Sequence, residues 1–303
     1  MTGQGDNFIL IVAGEDSGDA IGEDIVKAIV AQGVEAIGTG GPNMQRAGLK
    51  AVANFEYMAV SGFWDVLKKL PKLFFIKRAL QKKIKDCKAL ICIDYPGMNL
   101  PLMKFAKKMS KHIFYIAPPQ IWAWKKSRGK HFRGVHVGVF FQFEKEIYES
   151  FGARVSLIEH PCLSNTKICE EFQGKVLFLP GSRLGQLKRN LKKYISIAEG
   201  VEDAVFVASR PELFDFLSDK LKGKFHVVLR ERYASFEGAR AAVCMPGTAV
   251  FETFMAGVPT TAVAVVDPLT YVMGKLFLKT KYLTLPNIIF GKEVVKEHVF
   301  LSL

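Results

Sequence analysis

Short apolar runs recur along the chain, each closed by glycine, proline or aspartate. Phe8–Ala13 reads Phe-Ile-Leu-Ile-Val-Ala and stops at Gly14. An unbroken run of that length fits a parallel strand covered on both faces. Ile21, Ile25, Ile29 and Val30 then share one face of a helix predicted over about 18–32. Further strands are predicted at Val34–Gly38, Ala89–Ile93, His112–Ile116 and Val135–Phe141. The pattern restarts after residue 165, with strands predicted at Lys175–Leu179, Ala204–Ala208, Phe225–Leu229, Ala241–Met245 and Thr260–Val266. Strands alternating with helical stretches argue for βαβ units and parallel sheets. The predicted fold is α/β: two doubly wound, Rossmann-like domains facing each other across a cleft. They should cover residues 1–165 and 166–303, with the boundary near Cys162–Glu170, a stretch weak in both periodicities.

Composition agrees. At about 150 residues per domain, 303 residues suggest two domains. The 49% hydrophobic and 23% charged content excludes wholesale disorder. No apolar run reaches the roughly 18 residues of a transmembrane helix, and Met1–Asn7 carries no signal-peptide pattern. A cytoplasmic protein is expected. The five cysteines, Cys87, Cys92, Cys162, Cys169 and Cys244, form no C-x-x-C pair, which argues against a disulfide framework or thiolate zinc site. They should pack as small hydrophobes. The six histidines lack ligand spacing, so no metal site is predicted. His160 either lines the cleft or is structural.

Charge adds a partner. The net charge is +13, and residues 61–90 hold nine basic residues against two acidic ones. Phe63, Trp64, Leu67, Leu70, Phe74 and Phe75 interleave with these lysines, and Pro71 should kink or divide the helix. Such a segment can lie on an anionic membrane with its lysines outward. Two ordinary amphipathic helices on the sheet would be the plainer explanation, but they seldom combine so many aromatics with so much charge. Nucleic-acid binding is the generic reading of a basic chain, but here the charge sits on an apolar segment rather than a polar stripe, so no nucleic-acid partner is predicted.

Ligands of open parallel sheets bind beyond the carboxyl ends of the strands. After the first strand comes Gly14-Glu15-Asp16-Ser17-Gly18-Asp19. Its carboxylates suit sugar hydroxyls or proton abstraction from one, although Asp16, Ser17 or Asp19 could equally cap the helix. Asp94 ends an apolar strand, where a carboxylate is well placed as a general base; a plain turn before Pro96-Gly97 is the alternative. Pro180-Gly181-Ser182-Arg183 leaves a strand and enters a helix, where N–H groups, a hydroxyl and a guanidinium can hold phosphate oxygens. Gly247-Thr248 opens a second such helix. Glu252 lies one turn on and can accept hydrogen bonds from two ribose hydroxyls. Together these describe a nucleoside diphosphate pocket. Trp122 and Trp124, beside basic residues, either stack on a base or sugar or pack in the core.

The motifs, taken in order, resemble the lipid-A-disaccharide synthase family. Ala13–Asp19 is similar to its A-G-E-x-S-G-D signature, and Gly40–Gln45 to its G-G-P-x-M segment. Ile93–Asn99 is similar to I-D-x-P-x-F-N with Met for Phe, and Pro118–Trp124 to S-P-x-x-W-A-W with Pro for Ser. Leu179–Arg183, Gly247-Thr248-Ala249 with Glu252, and Lys279–Tyr282 with Leu285-Pro286-Asn287 complete the set. The resemblance implies a GT-B glycosyltransferase with the donor nucleotide held mainly by the second domain. It implies transfer of 2,3-diacylglucosamine from its UDP conjugate to 2,3-diacylglucosamine 1-phosphate, giving a β-1,6-linked disaccharide and UDP. Inversion at the anomeric centre needs one in-line attack, so no covalent intermediate, metal or other cofactor is expected.

Carried over residue by residue, Glu15, Asp94, Arg183, Glu252 and Asn287 match positions important in the family. Asp94 is the first choice as base for the acceptor hydroxyl and Glu15 the second. Gly14, Ser17, Gly181, Ser182, Arg183, Gly247, Thr248, Glu252 and Asn287 are the expected substrate and UDP contacts, Asn287 without an assigned role. The implied partners are acylated glucosamines, the cytoplasmic face of the inner membrane and a second copy of the chain. Family members usually carry an aspartate where Gly97 stands and a glycine where Glu159 stands. They also continue past the position of Leu303, with helices that pack back on the first domain and take part in dimerisation. A compact variant and a truncated gene both fit that difference. Two other functions stay open: another UDP-sugar enzyme with a lipid-linked acceptor, and an inactive membrane-binding relative.

Overall fold

The computed structural model describes residues 8–58, 63–123, 125–160, 174–230, 236, 238–277 and 280–302. The chain divides into two compact units, residues 1–159 and 160–303. The predicted boundary at 165/166 falls outside the described residues.

The first unit holds seven parallel strands: β1 (Phe8–Val12), β2 (Glu35–Thr39), β3 (Lys50–Ala51), β4 (Ala89–Ile93), β5 (His112–Ile116), β6 (His136–Val139) and β7 (Arg154–Leu157). Their order in the sheet is β3-β2-β1-β4-β5-β6-β7. The helices are α1 (Asp16–Ala31), α2 (Pro42–Arg46), α3 (Phe63–Asp86), α4 (Pro96–Lys108) and α5 (Gln142–Ser150). Burial on two sides explains the unbroken apolar run of β1. Leu10 and Val12 pack with Leu80, Ile84, Leu102 and Ala106, whereas Ile11 packs with Ile21, Val26 and Met44.

Of the kink or division expected at Pro71, the division does not occur: helix α3 runs through that residue as one element. An internal proline costs about 3 kcal/mol. Ile76, Leu80 and Ile84 are all buried against the sheet side of the unit. At about 1.5–3 kcal/mol each, their burial outweighs the proline.

The second unit holds β8 (Lys175–Leu179), β9 (Ala204–Ala208), β10 (His226–Leu229), β11 (Ala239–Cys244), β12 (Thr260–Val266) and β13 (Lys296–Leu301). The order is β10-β9-β8-β11-β12-β13, again parallel. The helices are α6 (Leu184–Ala198), α7 (Pro211–Leu221), α8 (Thr248–Met255), α9 (Pro268–Phe277) and α10 (Leu285–Phe290).

Each sheet therefore has one place where successive connections turn opposite ways. In the first unit it lies between β1 and β4, which pair directly with Val12 opposite Cys92. In the second it lies between β8 and β11, with Leu179 opposite Cys244. Open sheets bind ligands at this switch point. Among the described residues, no helix is long and apolar enough to cross a membrane. Cys87, Cys92 and Cys244 are free and buried, while Cys162 and Cys169 lie outside the described residues. Burial pushes the Cys244 thiol up to about 12, which leaves it unreactive.

Candidate active site

At the first switch point the chain leaves β1 through Gly14 and leaves β4 through Asp94 and Tyr95. Gly14 is forced by close approach. A Cβ there would stand 2.4 Å from the Tyr95 ring. Glu15 takes extended backbone (φ −138°) as the N-cap of α1, and Ser17 lies in that helix's first turn. Asp94 and Tyr95 both take left-handed backbone, φ 45° and 46°. That conformation costs a non-glycine residue on the order of 1–2 kcal/mol, so the surroundings must hold it.

They do so at the carbonyl groups. Asn99, fully buried on α4, donates from Nδ2 to the carbonyls of Val12 (3.1 Å), Ile93 (3.2 Å) and Asp94 (2.8 Å). The buried Tyr115 hydroxyl donates to the Asp94 carbonyl at 2.7 Å, and burial holds that phenol well above its ordinary pKa, so it stays a donor. Tyr95 Oη donates to the Met58 carbonyl at 2.9 Å, and Asp94 N–H to the Ile116 carbonyl at 3.0 Å. One amide thus ties the ends of β1 and β4 to the turn that carries Asp94. Strained backbone held this firmly is a mark of functional sites. Asp19 does a different job. Its buried carboxylate accepts the N–H groups of Asn43 (3.1 Å) and Met44 (3.0 Å), so it caps α2 rather than its own helix.

The second switch point is cationic. Gly181 and Gly247 carry φ of 135° and 156°, a region that favours glycine, and each precedes a helix. Arg183 is the N-cap of α6 and Arg210 the N-cap of α7, neither making a side-chain cap hydrogen bond. Ser182, Gly247 and Thr248 are exposed. Arg210 Nη2 donates to the Ser182 carbonyl at 3.1 Å, linking the loops after β8 and β9. Asn190, fully buried on α6, donates to the Pro180 carbonyl at 2.6 Å. Arg230, directly after β10, is ion-paired with Glu252 on α8. Three guanidinium groups therefore follow three neighbouring strands, beside helix N-termini whose dipoles also favour anions.

Arg210 and Arg230 escaped the sequence reading. Each lies within two residues of a strand's carboxyl end, so applying the loop-after-strand rule to β9 and β10 would have found them.

Asn287 is occupied by the protein itself. It is fully buried, donates to the Val295 carbonyl and Glu297 Oε1 (both 2.7 Å), and accepts the N–H groups of Val294 (2.7 Å) and Val295 (2.8 Å). All four hydrogen-bonding positions are filled, so its side chain clips α10 to β13. Trp122 donates from Nε1 to the buried Glu144 at 3.2 Å and meets Phe143 edge-on, while Trp124 lies outside the described residues. Burial raises the Glu144 pKa, with the Trp122 hydrogen bond pulling it back. His160 packs edge-on against Phe251, and burial lowers its pKa to about 4.

On α3, Leu70, Phe74 and Phe75 are 48%, 50% and 69% exposed, with Arg78 4.6 Å from the Phe74 ring centroid. The side chains of Phe63, Trp64 and Leu67 lie outside the described part. Among the described residues, no three His, Cys, Asp or Glu side chains cluster as a metal site.

The sequence profile of lipid-A-disaccharide synthetase matches residues 9–301. The chain belongs to that family. A lipid-A-disaccharide synthase of Syntrophus aciditrophicus is 32% identical, over 96% of this chain and 83% of its own length. Another, from Aquifex aeolicus, is 33% identical, over 88% and 78%. The fold is shared more widely. The calicheamicin glycosyltransferase CalG4 aligns with a TM-score of 0.54 at 16% identity, covering 97% of this chain and 86% of that one. A putative UDP-N-acetylglucosamine 2-epimerase from Listeria monocytogenes aligns at 0.55 and 13%, covering 94% and 86%. The architecture is GT-B, and membership in the family makes the protein a glycosyltransferase of lipid A biosynthesis.

Proposed function

We propose that the second unit holds UDP-2,3-diacylglucosamine and that Asp94 of the first unit activates the 6-hydroxyl of 2,3-diacylglucosamine 1-phosphate. The Asp94 carboxylate takes the hydroxyl proton as the oxygen attacks C1 of the donor sugar. The bond from C1 to the diphosphate breaks, UDP leaves, and a β-1,6 linkage forms with inversion. Arg183, Arg210, Ser182 and Thr248 offset the charge that grows on the diphosphate. Glu252 holds the ribose, Gly14 and Ser17 line the acceptor side, and Glu15 is the alternative base. The observation that carries this reading is the left-handed Asp94–Tyr95 turn at the first switch point, pinned by Asn99 and Tyr115.

The substrates implied are acylated, and the exposed Leu70, Phe74 and Phe75 among lysines suit the cytoplasmic surface of the inner membrane. A homodimer is part of the same proposal.

Incubating the protein with both substrates in detergent tests the reaction. Mass spectrometry should find the disaccharide 1-phosphate, and Asp94→Ala should abolish it. A folded protein that binds UDP but gives no disaccharide across several acyl lengths would overturn the substrate assignment. Another lipid-linked acceptor would then be sought.

A further inference from the structure

The three arginines at the second switch point are not equivalent. Arg183 and Arg210 are the N-cap residues of α6 and α7. Arg230 is held differently. Its backbone N–H donates to the Ala208 carbonyl at 2.8 Å, fixing the residue at the end of β9. Its Nη2 donates to Glu252 Oε2, and the two side chains are only 14% and 10% exposed. Its guanidinium lies 5.0 Å from the centroid of the buried Phe236 ring, and its buried Nε–H finds no acceptor among the described residues.

Glu252 cancels the charge of Arg230, so this arginine has little left for phosphate. What it does have is control of a carboxylate. An arginine hydrogen-bonded to a carboxylate fixes its plane. With Oε2 taken by Arg230, Oε1 is the oxygen left to accept from a ligand hydroxyl.

We propose that Arg230 is a positioning residue for the ribose subsite: it orients Glu252 so that Oε1 reads a ribose hydroxyl. This rests on the proposal that the second unit holds the UDP donor. It divides the labour among the arginines, two serving the diphosphate and one serving the sugar through Glu252. A carboxylate aimed by a rigid partner discriminates between hydroxylated and hydroxyl-free riboses. One left to rotate on its own discriminates less, because it must be ordered on binding.

The test is calorimetric titration of the full-length protein with UDP and with 2′,3′-dideoxyuridine diphosphate. The native protein should prefer UDP by about tenfold or more, the worth of one hydrogen bond to a charged group. Arg230→Ala should bring that preference to within about twofold while leaving affinity for the dideoxy nucleotide unchanged. Arg230→Lys, which keeps the charge but loses the planar fork, should restore part of it. Because Arg230→Ala strands a buried carboxylate and can fail to fold, Arg230→Ala/Glu252→Ala is measured beside Glu252→Ala alone. The two should show the same reduced preference.

Full preference retained in Arg230→Ala, equal weakening of both nucleotides, or an extra loss in the double variant would each overturn the assignment. So would a native protein that binds both nucleotides alike. A native protein that binds neither would instead overturn the donor-site reading on which the assignment rests.

Discussion

The two switch points share one construction and carry opposite chemistry. In both, a buried asparagine on the helix after the strand reaches back to strand-end carbonyls: Asn99 in the first unit and Asn190 in the second. In both, the Nδ2 side is spent on carbonyls while the buried Oδ1 finds no hydrogen-bond partner among the described residues. Around that device the first unit places carboxylates, Glu15 and Asp94, and the second places Arg183, Arg210 and Arg230. The scaffold fixes where a ligand can sit, and the side chains after each strand decide what charge it meets. An acid-bearing turn suits removal of a proton from a hydroxyl. An arginine-bearing turn suits a leaving diphosphate. Sharing a fold with a putative UDP-N-acetylglucosamine 2-epimerase and the calicheamicin glycosyltransferase is therefore no guide to chemistry.

The comparison can be broken at its acid side with the largest effect. Asp94→Asn removes the proposed base while keeping size and turn propensity. Disaccharide formation should fall about 10²–10⁴-fold, the usual worth of general-base catalysis, with the Michaelis constant for the donor unchanged. A variant with more than half its activity would remove Asp94 from the mechanism.

On the cationic side, Arg210→Ala should act on binding. Hydrogen bonds to charged groups are worth about 1.5–3 kcal/mol, so the donor Michaelis constant should rise about 10–100-fold. A fall in kcat with no change in that constant would instead assign Arg210 to the chemical step.

The rigidity of the first turn is tested by Gly14→Ala. The added Cβ would lie 2.4 Å from the Tyr95 ring. Overpacking of this kind costs about 1–3 kcal/mol, and chemical denaturation followed by fluorescence should show it. An unchanged midpoint would mean that the turn yields easily.

A pH series sharpens the picture of the second unit. Burial lowers the His160 pKa to about 4, below its value in an unfolded chain. Above about pH 6.5 the ring is neutral in both states and costs nothing. As pH falls toward 4 the unfolded chain takes up the proton first, so stability is lost. His160→Gln should flatten the stability profile in that window, by about 1 kcal/mol at pH 5.5. An identical pH profile in the variant would mean the ring is solvated.

The smallest stability change is expected at Phe75→Asp, because the ring is exposed. Folding should change by less than about 0.5 kcal/mol. Flotation with anionic vesicles should nevertheless drop several-fold. Undiminished flotation would remove this face of α3 from the membrane contact.

Much of this architecture is legible in the amino-acid sequence. All ten predicted strands are present, with ends within two residues; the central ones write themselves as unbroken apolar runs because both faces are covered, and the edge strand β10 keeps enough of such a run, Val227-Val228-Leu229, to be read. The three that escaped, β3, β7 and β13, lie at sheet edges, where one side meets solvent and the run is diluted by polar residues. Gly14, Asp94 and Gly181 could be placed because each lies within two residues of a strand's end, and Thr248 because it opens the helix after β11. Partnerships could not. Nothing local announces that Arg230 will meet Glu252, 22 residues on, or that Asn287 will be consumed by Glu297 and the backbone around Val295. Such pairs form only when the sheet brings separate loops together.

The division of labour itself is tested most directly by titrating UDP into Asp94→Ala and Arg183→Ala side by side. The account predicts that Asp94→Ala binds UDP as the native protein does while making no disaccharide, and that Arg183→Ala loses about tenfold or more in UDP affinity. Loss of UDP affinity in Asp94→Ala, or native affinity in Arg183→Ala, would contradict it.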